Sequence, residues 1–168
     1  MSEAGTHLAI ARARSGLGPI PDPDSVRAIL ATVPDPELPV ISIVDLGMVE
    51  RVEVDAASVR VTLLPTFVGC PAIEMIRAAV GESLAGLGRD VVVETSFDPP
   101  WTSDRITAAG RNALAEAGIA PPADPADVRC PYCASPRVVM DSAFGPTQCR
   151  SLFYCRACHQ PFEAMKPV

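Results

Sequence analysis

Lysine is almost missing from this chain: of its 14 basic residues only Lys166 is one, and 20 acidic residues bring the net charge to -6. The basic side chains are unevenly placed, because beyond residue 128 Arg129, Arg137, Arg150, Arg156 and Lys166 face only Asp141 and Glu163. The body is therefore acidic and the tail mildly basic. Such a body does not wrap nucleic acid by counterion release, and thiolates binding a metal would offset the tail's excess, so no nucleic-acid partner is expected. Aromatics make up 5% of the chain, with Trp101 the single tryptophan. No stretch reaches the roughly 18–20 apolar residues of a membrane span, and no apolar core with a small-residue cleavage site opens the sequence. The expectation is a cytoplasmic protein with no membrane partner. There, six cysteines point to metal ligands or reactive thiols and away from disulfides.

With 168 residues, 48% of them hydrophobic, the chain is large enough for one true core and a small appendage. Residues 1–21 have weak periodicity and read as a flexible lead-in. Asp22-Pro23-Asp24 opens a helix with a cap, a proline and a first-turn acid, its apolar face being Val26, Ile29, Leu30 and Val33, and Pro34 ends it. Asp35 to Val40 cannot be helical, because Pro36 and Pro39 fix φ and remove donors; it is a loop with two carboxylates, Asp35 and Glu37. Met48–Val54 and Val59–Leu64 alternate as a hairpin. Ile73, Ile76, Val80, Leu84 and Leu87 then recur at helical steps, and Val91–Val93 is a buried strand. Strand, helix, strand implies a parallel crossover, so the sheet is small, mixed and three-stranded. Trp101 is expected to plug the core edge. A helix near Thr107–Ala117 completes an α+β domain over 22–117, and 118–128, rich in proline, reads as a semi-rigid linker.

Between hairpin and helix lies Pro65-Thr66-Phe67-Val68-Gly69-Cys70-Pro71-Ala72. Pro71 suits the first position of a helix, which makes Cys70 its N-cap, with the helix dipole favouring thiolate. The plainer alternative is a small hydrophobe packed at a tight joint. Beyond the linker, residues 129–168 carry Cys130-Pro131-Tyr132-Cys133 and Cys155-Arg156-Ala157-Cys158. Two such knuckles, with strands at Arg137–Asp141 and Gln148–Tyr154 between them, make a zinc ribbon whose four thiolates close a tetrahedral Zn2+ site with no position left for catalysis. Rubredoxin-like iron, or a reduced form without metal, is the alternative. Cys149 stands outside both knuckles: a spare ligand, a redox thiol or, the reading preferred here, a side chain packed into the ribbon. His159 reads as a flanking polar residue, and His7 carries no signal.

The run from Asp35-Pro36-Glu37-Leu38-Pro39-Val40 to Asp45-Leu46-Gly47-Met48-Val49, followed by Thr66-x-x-Gly69-Cys70-Pro71-Ala72, resembles the small α+β domain family of iron-sulfur cluster assembly. With Asp98-Pro99-Pro100-Trp101-Thr102, Gly118 to Pro122, Phe144 to Cys149 and Pro161-Phe162-Glu163, the stretch from about residue 22 onward is similar to the D-subunit family of bacterial phenylacetyl-CoA epoxidase systems. The resemblance implies an accessory role in aerobic phenylacetate degradation, beside the oxygenase and an iron-sulfur flavoprotein reductase. It also implies a site made of Asp35, Glu37, Thr66 and Cys70; Phe67 stands where many relatives carry a second threonine. One thiolate supplies only one of the roughly four ligands of an iron-sulfur cluster. Any cluster is thus expected to be transient and shared with a second copy, as a homodimer, or with a client. A structural subunit bridging oxygenase components is the alternative, and a thiol peroxidase using Cys70 and Cys149 a third reading.

Overall fold

The helix expected at Asp22 starts where its cap chemistry places it. In the computed structural model, which describes residues 18–168, Asp22 accepts a hydrogen bond from the Ser25 amide and α1 runs Pro23–Leu30. Most of the lead-in read over residues 1–21 lies outside the described residues. Strands β1 (Val49–Val54) and β2 (Ser58–Leu63) form the antiparallel hairpin, and β2 pairs in parallel with β3 (Asp90–Thr95) after the crossing helix α2 (Ile73–Leu84). The sheet order is β1-β2-β3. Alternation explains the inward face: Val59, Val61 and Leu63 are buried while Arg60 and Thr62 are not. A register shift between Val49 and Arg51 lets Val49 and Val52, three apart, both turn inward. Ile76, Val80 and Leu84 of α2 and Val26 and Leu30 of α1 close on that face.

The loop after α1 folds back on itself. The Asp35 amide donates to the Ile41 carbonyl and the Ile43 amide to that of Val33, which sends Leu38, Ile41 and Ile43 into the core. Trp101 is buried as expected, its Nε1 donating to the Leu46 carbonyl at 2.9 Å. Helix α3 (Ala108–Glu116) is capped by Thr107, whose hydroxyl accepts from the Gly110 amide.

The C-terminal sheet has the order β4-β7-β6-β5: β4 (Ile119–Ala120), β5 (Val138–Ser142), β6 (Arg150–Cys155) and β7 (Pro161–Met165). Two of these strands, β4 and β7, have no counterpart in the sequence reading. Ile119–Ala120, read as the head of a linker, pair in parallel with β7; two residues are too few to show alternation. Phe153 and Phe162 stack at 5.7 Å beneath this sheet. The end of β7 and the residues after it also reach the body, since Met165 is buried in the main core and Ser103 donates its amide to the Val168 carbonyl at 3.2 Å.

Candidate functional site

The chain leaves β2 through Pro65 and turns at Gly69, whose φ of +82° is a left-handed conformation that a side chain would strain. The Cys70 amide donates to the Phe67 carbonyl, closing the turn, and the Ile73 amide to the Cys70 carbonyl at 3.4 Å. Here the structure corrects the sequence reading. Helix α2 begins at Ile73 with Ala72 as its cap, so Cys70 sits one turn ahead of the helix and Pro71 belongs to the turn. A proline's fixed φ serves a turn as well as a first helical position. The Cys70 sulfur meets one amide, that of Ala72, which favours thiolate, but this is outweighed. Burial first, then the charges of Glu37, Asp35 and Cys149, push the thiol above its ordinary value of 9.0. The surroundings of Cys70 thus raise its pKa, the reverse of the lowering that the dipole argument anticipated.

Cys70 is half-buried at the edge of a cavity of about 270 Å³, lined from the body by Glu37, Thr66 and Phe67 and from the ribbon by Thr147, Gln148 and Cys149 among others. Of the four site residues that the resemblance implied, three therefore line one cavity. Asp35 does not. It is buried, and its Oδ1 accepts from the amides of Glu37 at 2.9 Å and Leu38 at 2.8 Å. That carboxylate shapes the loop on which Glu37 is presented. Burial raises its pKa from 3.8, while the two amides and the nearby Arg150 pull the other way.

Cys149, expected inside the ribbon, is the second correction. It lies in the turn before β6, partly exposed, outside the ribbon's apolar cluster and facing the same cavity as Cys70. Thr147 Oγ1 is 3.1 Å from its sulfur and accepts from Arg150 Nε at 2.9 Å. Since Arg150 can only donate, the threonine's own proton is free to point at the sulfur. Arg150 also pairs with Glu163 and reaches the Glu37 carbonyl at 3.5 Å, so one side chain links ribbon and loop. The signal available in sequence is the oddness of a sixth cysteine outside the two knuckles.

The knuckles themselves come together. The sulfurs of Cys130, Cys133, Cys155 and Cys158 lie within 4.8 Å of one another, with Cys130–Cys158 at 3.6 Å and Cys133–Cys155 at 3.7 Å. A tetrahedral ion with metal–sulfur bonds of about 2.3 Å requires sulfurs about 3.8 Å apart, so the four side chains fit such an ion. The amides of Cys158 and Ala157 turn toward Cys155 and lower its pKa. His159 stands aside, its Nδ1 3.2 Å from the Tyr154 hydroxyl. Among the described residues no helix is long and apolar enough to cross a membrane.

Two family profiles match the chain, one described as "Iron-sulfur cluster assembly protein" over residues 23–96 and one as "PaaD zinc beta ribbon domain" over 116–166. A candidate D-subunit of 1,2-phenylacetyl-CoA epoxidase from Escherichia coli (strain K12) is 40% identical over 88% of this chain and 94% of that protein. The Fe-S protein maturation auxiliary factor YitW of Bacillus subtilis (strain 168) is 35% identical over 54% of this chain and 91% of its own length. Among solved structures, a DUF59 domain from Bacillus anthracis superposes with a TM-score of 0.52 at 30% identity, covering 55% of this chain and 90% of that one.

Proposed function

The chain belongs to the D-subunit family of 1,2-phenylacetyl-CoA epoxidase, and from that premise we propose that it is an accessory protein that assists iron-sulfur cluster assembly for the epoxidase system of aerobic phenylacetate degradation. Its partners in this reading are the oxygenase and the iron-sulfur flavoprotein reductase of that system. The observation that carries this reading is the placement of Cys70. Cys70 is neither sealed in the core nor free on the surface, but lines a solvent-connected cavity together with Glu37 and Thr66. A thiol of this kind gives up its proton when a thiophilic iron arrives, and sulfur with carboxylate suits iron as cargo. Phe67, on the wall of this cavity, and Val68 and Phe97, which line an adjoining pocket with it, are exposed, an apolar surface of the sort that a protein partner covers.

The ribbon's ion is zinc in this reading, because a closed four-thiolate site stabilises a module whose small apolar cluster would not hold alone. The site leaves no coordination position for catalysis. The ribbon then works as a structural and docking element, and the protein is not itself the ring-oxidising catalyst.

The test is a strain in which Cys70→Ser replaces the native chain. We expect the variant to be folded and zinc-loaded, with the purified reductase short of iron and sulfide; full cluster occupancy would refute the reading. A protein that merely bridges oxygenase components predicts the opposite result, with unchanged co-purification and unchanged clusters in the same strain.

A further inference from the structure

Two of the chain's thiols, far apart in sequence and carried by different modules, face one cavity. Cys70 comes from the turn after β2 and Cys149 from the turn before β6, with Glu37 from the folded-back loop on the same wall. We propose that Cys70 and Cys149 are joint sulfur ligands of the iron cargo, with the Glu37 carboxylate as a third donor, so that the handover site is built by the body and the ribbon together. This rests on the reading above that the chain handles iron.

Ligand chemistry favours the pair. Within a two-iron cluster each iron takes two protein sulfurs, and a lone ferrous ion prefers thiolate and carboxylate donors over a single sulfur. Cys70 alone would leave half of that requirement to a client or a second copy; Cys149 supplies it within one chain. The surroundings are arranged for a cation. Burial first, then Glu37 and Asp35, raise the cost of charging Cys70, and a bound cation reverses that cost, each thiol that binds losing its proton to solvent as its Fe–S bond forms. Thr147 braces the Cys149 sulfur, Arg150 braces Thr147, and the Lys166 amide holds the Cys149 carbonyl at 2.9 Å. The second sulfur is thus fixed by the ribbon's framework and not on a loose loop. Among the described residues the ribbon knuckles are the one group of three or more ligating side chains gathered within 4.8 Å. Cys70, Cys149 and Glu37 line one cavity without their ligand atoms being gathered that closely, so binding iron would draw them together.

The experiment uses the full chain with its ribbon zinc-loaded, kept anaerobic, and offers ferrous ion alone in one arm and ferrous ion with sulfide in the other. Wild type is expected to take up iron beyond the zinc in at least one arm. Uptake from ferrous ion alone identifies a single-ion cargo, and sulfide-dependent uptake with a cluster absorption band identifies a cluster edge. Cys70→Ser and Cys149→Ser should each weaken uptake at least tenfold, with zinc content unchanged. A bifunctional thiol reagent should bridge Cys70 to Cys149 in the zinc-loaded wild type, which keeps the proposal testable should Cys149→Ser disturb the ribbon. Iron uptake by Cys149→Ser within twofold of wild type, or no bridged product, overturns the two-sulfur site while leaving the accessory reading intact. Loss of uptake in both variants, with full reductase clusters in cells carrying them, upholds the site and overturns the accessory reading.

Discussion

Replacing Asp35 separates two roles that its position in the sequence motif cannot distinguish, iron ligand and loop former. Its Oδ1 accepts two backbone amides at 2.9 and 2.8 Å in a buried setting. Asp35→Ala orphans the Glu37 amide outright, whereas the Leu38 amide retains the Asp35 carbonyl at 3.2 Å. Hydrogen bonds to a charged acceptor contribute about 1.5–3 kcal/mol each. Counting one in full and the other in part, the alanine variant should lose about 2–3 kcal/mol, or roughly 5–10 °C of melting temperature for a chain of this size. Asp35→Asn keeps an acceptor oxygen in the same place and should stay within about 1 kcal/mol of wild type. The pH dependence provides a second check. Burial raises the Asp35 pKa above 3.8, so just above that pH the folded state holds a proton that the unfolded state has lost, and stability falls as pH rises through the window. Asparagine has no such penalty, so its stability relative to wild type should improve between about pH 4 and pH 7. Thermal and urea unfolding of the three proteins at both pH values, with ferrous uptake measured alongside, is the assay. An asparagine variant that melts like wild type but fails to bind iron would show that Asp35 is a ligand after all, and would refute the reasoning.

Three further outcomes follow from the same structure. Trp101→Phe removes the donor to the Leu46 carbonyl and should cost about 1–2 kcal/mol in urea unfolding with iron uptake unchanged. Gly47→Ala would place a methyl 2.5 Å from Arg105 Cβ and its carbonyl oxygen at a φ of +75°. It should destabilise by about 3 kcal/mol or more, and a melt unchanged within about 1 °C would contradict the packing. Alkylation of Cys70 in the zinc-loaded protein should be slow at about pH 7.5 and still be accelerating above pH 9.0, because burial and its acidic neighbours raise its pKa; a rate already level by about pH 8 would mean an activated thiolate.

The parts of the fold legible in the sequence are those written locally. Alternation through Val59, Val61 and Leu63, the cap at Asp22, and the helical recurrence of Ile76, Val80 and Leu84 are all short-range patterns, and each stands where the pattern puts it. The paired knuckles likewise announce a four-sulfur centre. What stays hidden depends on contacts between distant residues or on choices that the local sequence leaves open. Pro71 serves a turn and a helix start alike, so the local sequence does not decide which of the two holds Cys70. Asp35 and Glu37 look equivalent as two acids in a proline loop, and only the hydrogen bonds show that one holds the backbone and the other lines the cavity. Nothing around Cys149 signals that Cys70, separated from it in sequence by the helices α2 and α3 and the strands β3 to β5, shares its cavity.

Met165 and the carbonyl of Val168 tie the end of the ribbon into the body, and β6 runs from Arg150, beside the cavity, to the knuckle sulfur of Cys155. Stripping the ribbon's ion would therefore unravel the strand that carries Cys149's brace and withdraw one wall of the iron cavity. If the ribbon holds zinc and the cavity handles iron, as proposed above, supply of one metal would govern delivery of the other: in cells starved of zinc, iron handling by this chain should fail, and restoring zinc alone should bring it back.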